Sequence, residues 1–400
     1  MIKIGDLNID KFYLGDKSDA KIYLGDVKVW PKEEEPSETY PYAFQRVSRG
    51  GSAYTVDCNS TSSNTITSGD THSGLKYEID DSTKDNTPVS VVFGDCCQSI
   101  GDKACDGWTY LSSVTISDNV TSLGANSFYN TPRIEHLKIG SGITQINQSY
   151  TFRDTCSSAS TKPDLDLSAN VGLNVGKNAF YQCYFNNVIF PKNCTLSSLS
   201  FQYCSVSTLS FGNGTKISEN GVYMSPFYRS TISNIDLNGV TEIRDYAFNS
   251  TSGFTSITIP PSVTTFGRYS FASVSTLNSV TIDYASNAIV GGYQFTGSSI
   301  TSLTIGSHPT AIGQSMFQKC TKLRSLVIPS NISSINNYAF SGCTGLISIT
   351  VHSVTPPTLG YGVFDGTNNC PIYVPSGSVN AYKAASGWSN YKSRIKAIPT

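Results

Sequence analysis

Charge is scarce in this sequence. Lys, Arg, Asp and Glu make up 14% of the 400 residues, and the formal net charge is -1. Proteins that bind nucleic acid or an anionic membrane surface rely on a dense patch of basic side chains. We therefore expect neither nucleic acid nor membrane lipid as a partner.

Long apolar runs are also missing. The start, Met1 to Asp6, holds no stretch of signal-peptide length, and no run of 18 apolar residues occurs anywhere. As written, the chain is expected to be neither Sec-exported nor inserted into a membrane. Its eleven cysteines are an odd number, which argues against a fully paired disulfide framework and favours synthesis in a reducing cytoplasm.

The first thirty residues repeat every ten, as Ile4-Gly5-Asp6, Leu14-Gly15-Asp16 and Leu24-Gly25-Asp26. Each unit predicts a short strand that ends in a Gly-Asp turn, and three such strands are marginal alone. We interpret residues 1–30 as a β-repeat attachment segment. Residues 31–38, with two prolines and four glutamates, predict a linker. Residues 39–90 hold no clear repeat and are expected to form an N-terminal cap or small β-domain.

A longer repeat covers most of the chain. Eight of the twelve steps between the last apolar residues of successive predicted strands are 23 residues long. So regular a step predicts a solenoid in which stacked coils bury a shared core. The thirteen strand ends are Phe93, Ile116, Ile139, Leu167, Phe190, Phe211, Leu237, Ile259, Ile282, Ile305, Ile328, Val351 and Val374.

A second marker lies about twelve residues after each strand and predicts an aromatic plug in the core of the coil. Cys105 holds this place in the first unit. The others are Phe128, Phe152, Phe180, Phe201, Phe227, Phe248, Phe271, Phe295, Phe317, Phe340 and Phe364.

Two segments carry a family resemblance, Asn238-Gly239-Val240-Thr241-Glu242-Ile243-Arg244-Asp245-Tyr246-Ala247-Phe248 and Tyr338-Ala339-Phe340-Ser341-Gly342-Cys343. They resemble the BspA-type leucine-rich repeat, which is common on bacterial surfaces and used for adhesion. The resemblance covers about residues 90 to 375 and implies a fold and a binding style, but no ligand.

The fold class we predict is mainly β. It consists of a leucine-rich-repeat solenoid of about 13 coils over residues 91–375, with a parallel sheet and the N-terminal β-repeat segment. Residues 376–400 are similar to the segment that closes such arrays, and we expect them to form a helical cap. Ser376 is predicted to N-cap its short helix, and Val379, Tyr382, Trp388, Tyr391 and Ile395 to cover the last coil.

Candidate chemistry is sparse. Cys183, Cys204, Cys320 and Cys343 each follow a marker Phe by three residues, where other units place Thr, Ser or Val. This pattern favours buried free thiols over disulfides or a metal site. Cys96, Cys97 and Cys105 cluster near the first coil, but without a CxxC pair or a nearby His the spacing is poor for zinc.

Catalytic motifs are missing as well. His72, His136, His308 and His352 are scattered over different units without a nucleophile motif. Two carboxylates suffice for a glycosidase, and Asp164, Asp166 and Asp236 could meet across coils. We nevertheless predict a protein that is not an enzyme and needs no cofactor.

The residues that alternate with the core along the strands form an outward column. Threonine suits an exposed strand position in any case. The alternative interpretation is a ladder that hydrogen-bonds a glycan or a protein; an ice-binding ladder ranks low because charged residues interrupt it. The column comprises Thr115, Lys138, Asp166, Ser210, Asp236, Thr258, Thr281, Thr304, Thr350 and Tyr373.

Insertions in the longer units offer a second candidate surface, at Ser157-Ser158-Ala159-Ser160-Thr161 and around Tyr223 to Arg229. Tyr223, Tyr228 and Arg229 have side chains typical of binding hot spots. They could equally pack on the neighbouring coil.

The decapeptide repeat (Lys3-Ile4-Gly5-Asp6, Tyr13-Leu14-Gly15-Asp16, Tyr23-Leu24-Gly25-Asp26) resembles leaders of structural proteins of phages that infect gut Bacteroidetes. The leading hypothesis is thus a virion component, a fibre, tail or decoration protein. It would be made in the host cytoplasm, join other virion proteins through residues 1–30, and bind a host-surface glycan or protein. A homotrimer is one expectation, because fibre proteins are often trimeric. The alternatives are a bacterial BspA-like cell-surface adhesin and a carbohydrate-active enzyme on a repeat scaffold.

Overall fold

The computed structural model describes residues 88–95, 97–158, 162–217 and 224–399, together with the backbone of five strands between residues 22 and 66. Residues 1–21, the linker at 31–38 and residues 67–87 lie outside the described part. The five N-terminal strands are β1 (Ile22–Leu24), β2 (Val27–Trp30), β3 (Tyr42–Arg46), β4 (Ser52–Cys58) and β5 (Thr65–Ile66).

After them the chain alternates between a longer strand and a shorter one, as the predicted coil requires. In the first coils these are β6 (Val89–Phe93), β7 (Ser99–Ile100), β8 (Leu111–Ile116), β9 (Ser122–Leu123), β10 (His136–Lys138), β11 (Gln145–Ile146), β12 (Leu165–Asp166), β13 (Asn174–Val175), β14 (Tyr184–Phe190), β15 (Thr195–Leu196), β16 (Ser205–Phe211), β17 (Thr215–Ile217), β18 (Thr231–Asp236), β19 (Val240–Ile243) and β20 (Ser252–Gly253).

The later coils continue with β21 (Ser256–Ile259), β22 (Thr265–Phe266), β23 (Ser279–Ile282), β24 (Ile289–Val290), β25 (Ser302–Ile305), β26 (Ala311–Ile312), β27 (Ser325–Ile328), β28 (Ser334–Ile335), β29 (Ser348–Val351), β30 (Thr358–Leu359), β31 (Ile372–Val374) and β32 (Ile395–Ala397). We call residues 89–255 the irregular coils and residues 256–374 the regular coils, because the strand ends of the latter are all 23 residues apart.

The longer strands pair in parallel from coil to coil and form one face, the long-strand sheet, while the shorter strands pair along another. All thirteen predicted strands are present, so the predicted solenoid is confirmed. Their hydrogen-bonded ladder is interrupted after β10, near β20 and after β25. The first interruption falls at the 28-residue step, where extra residues displace the pairing. The second falls at the 22-residue step between β18 and β21, whereas the 26-residue step between β16 and β18 leaves the ladder intact.

The sheet extends beyond those thirteen strands at both ends. In the N-terminal region β4 pairs in parallel with β6, and β3 pairs antiparallel with β4. At the other end β32 pairs in parallel with β31. In the attachment segment β1 ends just before Gly25-Asp26 and pairs antiparallel with β2, whereas the two preceding decapeptide units lie outside the described residues.

A continuous column of phenylalanine rings fills the core. All eleven marker phenylalanines are buried, and neighbouring rings lie 4.8 to 6.0 Å apart between centroids, most of them stacked. Each ring is one coil above the last, so stacking and apolar burial join the coils pairwise. The period of the sequence is thus the period of this column.

The C-terminal segment closes the column. Trp388 is buried with its ring centroid 5.9 Å from that of Phe364, and its Nε1 donates to the Pro357 carbonyl at 2.7 Å. A short helix α1 (Val379–Ala384) lies between two 3-10 turns, Ser376–Ser378 and Trp388–Tyr391. The predicted helical cap is therefore confirmed, and Tyr382, Tyr391 and Ile395 are buried as expected.

The prediction that Ser376 caps this helix was wrong. The residue before α1 is Ser378, and neither helix start has a side-chain capping bond. The Ser378 hydroxyl donates instead to the Val354 carbonyl at 2.7 Å. This bond joins the cap to the preceding coil. Because the Ser378 hydroxyl is engaged there, it does not cap the helix.

Candidate binding face

The outward column lies on the solvent side of the long-strand sheet. Lys138 pairs with Thr115, and Asp166 and Asp236 belong to a second hydrogen-bonded block. Thr258, Thr281 and Thr304 are direct neighbours on three successive strands. Thr350 pairs with Tyr373 in the last block. Alternation along a strand explains this placement, since the residues on either side face the core.

Besides Val92, which pairs with Thr115, two exposed apolar residues belong to this column and were missed by the sequence reasoning. Ile189 lies between Asp166 and Ser210, and Val327 precedes Thr350. Their exposed fractions are 38% and 48%. Both occupy the next-to-last position of a predicted strand, so the period alone identifies them; they were overlooked because apolar residues in strands were assigned to the core.

A second outward column runs parallel to the first, two residues earlier on each strand. On the first five long strands of the regular coils it is made of serine alone, and it comprises Ser256, Ser279, Ser302, Ser325 and Ser348. Paired with the threonines, these serines give the face a repeated Ser-x-Thr pattern that is visible in the sequence. In the irregular coils the same column holds larger polar residues, among them His136, Asn187 and Asn234.

A cleft of about 580 Å³ lies at the N-terminal end of the face. Thr115 and Lys138 line it together with Val92, Asp95, Ser117 and Asp118. The Ser117 hydroxyl donates to Asp95 at 2.7 Å. Hydrogen bonds from the Ser141 backbone and side chain, with the nearby Lys138 ammonium, lower the pKa of Asp118. The cleft thus presents carboxylates beside a cation, a polar setting large enough for a sugar ring.

A cluster of tyrosine and arginine side chains occupies another surface of the irregular coils. The Arg153 guanidinium carbon lies 4.9 Å from the ring centroids of Tyr150 and Tyr181 and 5.3 Å from that of Tyr129. Its Nε also bonds Asp154 at 3.2 Å. Such cation–π contacts hold the guanidinium in place between the coils.

Of the predicted insertion residues, Arg229 is exposed and lies beside this tyrosine cluster. Its guanidinium carbon is 5.3 Å from the Tyr228 ring centroid, and its Nη1 is 3.5 Å from the Tyr203 hydroxyl. Arg229 therefore contacts the neighbouring coil and stays accessible, and its role in binding stays a prediction. Tyr223 lies outside the described residues.

These geometries are accompanied by a family match. The model of the BspA type leucine rich repeat region, in six copies, matches residues 82–171, 173–289 and 241–371. The chain belongs to the BspA-type leucine-rich-repeat family. No curated protein matches the sequence.

Solved leucine-rich-repeat proteins are similar to this BspA-type chain at low identity. One from Bacteroides ovatus ATCC 8483 is 21% identical, with 78% of this chain and 92% of that chain covered and a TM-score of 0.36. A leucine rich cell surface protein from Faecalibacterium prausnitzii A2-165 is 16% identical, with 92% and 100% covered and a TM-score of 0.33.

The carboxylates proposed for a glycosidase do not meet in this BspA-type solenoid. Ile189 and Ser210 separate Asp166 from Asp236, so the two aspartates are three strand spacings or roughly 14 Å apart. Catalytic carboxylate pairs lie within about 5 to 9.5 Å. Each carboxylate instead accepts the backbone N–H two residues later, at 2.9 Å, and Asp164 accepts from Asn186 and Asn187. They cap turns.

The cysteines three residues after a marker Phe are buried and free. Each thiol donates to the carbonyl of the Phe one coil earlier, as Cys183 does to Phe152 at 2.7 Å and Cys343 to Phe317 at 3.1 Å. Thr155 and Thr251 make the same bond through their hydroxyls. Burial raises the pKa of the Cys204 and Cys343 thiols to about 12. This slot joins adjacent coils and is unsuited to thiolate chemistry.

Among the described residues, the remaining histidines and cysteines named in the sequence do not form one cluster. His308 contacts Asp283 at 3.0 Å, while His136 and His352 are exposed on separate coils and His72 lies outside the described residues. Cys97 and Cys105 are buried, and Cys96 is not described. Within the described ranges no group of three His, Cys, Asp or Glu side chains is placed to hold a metal ion, and no helix there has the length and apolar content of a membrane span.

Proposed function

We propose that this chain is a non-enzymatic binding protein of a phage particle. Residues 1–30 attach it to other virion proteins, and the outer face of the long-strand sheet engages a glycan or protein on the host cell. The attachment role draws on the resemblance of the decapeptide repeat to phage leaders. The binding role is supported chiefly by one observation, the pair of outward polar columns kept in register from coil to coil.

A repeated polar face suits weak contacts made many times. Each coil offers a few hydrogen-bonding groups, and a single such contact is worth about 1 kcal/mol. Binding becomes firm when many coils, or many copies on one particle, engage the same surface at once. The N-terminal cleft, with Asp95, Asp118 and Lys138, adds a place where one sugar ring can be held.

The second candidate is a bacterial surface adhesin. The family match over most of the solenoid favours it, because the repeat family is associated with adhesion. Both candidates use the same binding face and differ in the object that carries it. They are therefore separated by finding where the protein resides.

The first experiment is antibody labelling in electron micrographs of purified particles, with peptide mass spectrometry of particles and of producing cells. Label at fixed sites on virions, in stoichiometric amounts, is the expected result. Label confined to the bacterial envelope would overturn the virion role and favour the adhesin.

The second experiment tests the face itself. The purified full chain is bound to host cells, and Lys138→Ala and Arg229→Ala variants are compared with it. We expect Lys138→Ala, the variant in the N-terminal cleft, to bind several-fold more weakly, because it loses a cation beside the carboxylates. Wild-type chain that binds no cell and no envelope extract of the host would refute the binding role altogether.

A further inference from the structure

We propose that part of the outer face binds an uncharged linear polysaccharide that lies along the solenoid axis, with one sugar ring opposite each coil. This inference rests on the proposed function, since it names the ligand class of the same face. The site is the hydroxyl grid, which we define as Ser256, Thr258, Ser279, Thr281, Ser302 and Thr304 on strands β21, β23 and β25.

The grid is regular in both directions. Ser256 pairs with Ser279 and Ser279 with Ser302, and the threonines follow the same register. Adjacent rungs are therefore one strand spacing apart, about 4.8 Å, and the serine and threonine of one strand are separated by roughly 7 Å. A polymer of identical units that runs across the strands meets the same pair of hydroxyls at every coil.

Among the described residues, the grid hydroxyls have no protein partner, because their side chains make no hydrogen bond to another residue. Other exposed hydroxyls of the solenoid are engaged. Thr264 donates to the Thr241 carbonyl at 3.2 Å, and Thr310 to the Ser286 carbonyl at 3.2 Å. Hydroxyls at those positions join coils, whereas those of the grid are left to the solvent or to a ligand.

The composition of the grid favours a neutral sugar over other partners. It has no cation to pair with an acidic polymer, in contrast with Lys138 at the other end of the same column. It also has no aromatic or large apolar side chain to anchor a protein. Neutral hydroxyls that both donate and accept match the hydroxyls of a sugar ring.

The fold itself shows how to test this without unfolding the chain. Val327 occupies the threonine position on β27, and Val92 pairs with Thr115 in the first coils. Valine is therefore accepted at this position, and it keeps the β-branched shape of threonine while it removes the hydroxyl. The test variant is the full chain with T258V, T281V and T304V.

The matched control is the full chain with T121V, T264V and T310V. It loses the same number of exposed hydroxyls, but all three donate to the backbone of the preceding coil. Wild type and both variants are titrated by affinity electrophoresis and calorimetry with a neutral β-glucan, a neutral mannan and polygalacturonate. Far-ultraviolet circular dichroism checks that each variant is folded.

We expect wild type to bind at least one neutral polymer and the test variant to bind it roughly 30-fold more weakly, since three hydrogen-bonding groups are lost. The control should bind within about twofold of wild type. Equal binding by the test variant, tighter binding of polygalacturonate, or no binding of either neutral polymer would overturn the inference. If wild type binds host cells but not these neutral polymers, the inference is wrong and the proposed function stands. If wild type binds no host cell, the proposed function itself is wrong.

Discussion

The irregular and regular coils share one core and differ on their surface. Phe180 and Phe271 are both buried in the same ring column, and the same slot behind the rings is filled in both halves. Outside, the irregular coils have strands that vary from two to seven residues and carry the charged residues Lys138, Asp166 and Asp236. The regular coils have strands of three or four residues and carry mostly uncharged hydroxyls. The core therefore dictates the period, and the outer columns are free to take up different binding chemistry.

The largest expected effect tests whether the core is the same in both regions. Phe180→Ala and Phe271→Ala each remove a buried ring that stacks on one ring above and one below. Each variant should lose about 3 to 5 kcal/mol of unfolding free energy, measured by urea denaturation. A cost at one site that is less than half of that at the other would contradict the shared core.

The next prediction concerns the surface difference. Thr281→Asp places on the regular coils the residue that Asp236 provides on the irregular ones. The variant should fold normally, because an outward strand position tolerates a carboxylate in this solenoid. Binding of a neutral polysaccharide should weaken about tenfold, because the bound polymer would cover the new carboxylate, and a covered carboxylate costs free energy unless it is paired.

The matched change in the other region is Asp236→Thr. It should leave that binding within about twofold of wild type, as measured in the same titration. A tenfold loss in this variant as well would mean that the polymer contacts both regions. The two regions would then not differ in what they bind.

How far the sequence predicts this molecule follows from the same comparison. The 23-residue step locates strands and marker phenylalanines because a buried column of identical rings tolerates little variation. Strand ends at Ile139, Leu167 and Leu237 were placed one residue late, since pairing there ends at the preceding residue. In the irregular coils the apolar pattern still locates the strands and the insertions, but it does not predict where the hydrogen-bonded ladder breaks, since the break after β10 accompanies the 28-residue step and the 26-residue step causes none.

The candidate site is predicted in part. Alternation along a strand identifies the outward column residue by residue, and the Ser-x-Thr pairs of the regular coils are visible in the sequence. The cleft was not predictable, because Asp95, Asp118 and Lys138 come from three different coils. The tyrosines around Arg153 lie one or two residues from marker phenylalanines, so their spacing indicates that they recur on successive coils. Which of these rings contact the Arg153 guanidinium depends on the turn geometry, which the sequence does not predict.

A smaller effect is expected in the slot behind the rings. Cys343→Thr should keep the unfolding free energy within about 1 kcal/mol, because Thr155 and Thr251 make the same bond to a carbonyl one coil earlier. Cys343→Ala leaves the Phe317 carbonyl without that donor and should cost about 1 to 3 kcal/mol. Equal stability of the two variants in urea denaturation would show that the hydrogen bond does not join the coils.

The smallest effect concerns charge within the irregular coils. Glu242 accepts from Arg244 at 2.7 Å and contacts the Lys216 ammonium of the preceding coil at 3.0 Å. Burial opposes ionisation, but the hydrogen bonds and charges of Lys216 and Arg244 outweigh it and lower the pKa of Glu242. A lowered pKa in the folded state means that the ionised form is the stabilising one, so its contribution is present above the ordinary glutamate pKa of about 4.3 and is lost as the pH falls.

Glu242→Gln should therefore cost about 0.5 to 1 kcal/mol at pH 7 and less near pH 3, because the contribution of the ionised form is lost as wild-type Glu242 takes up a proton. Urea denaturation at both pH values checks this, and the low-pH measurement is the internal control. The same loss at both would mean that shape, and not charge, holds these two coils together. The regular coils would then differ from the irregular ones in what they bind and not in how their coils are joined.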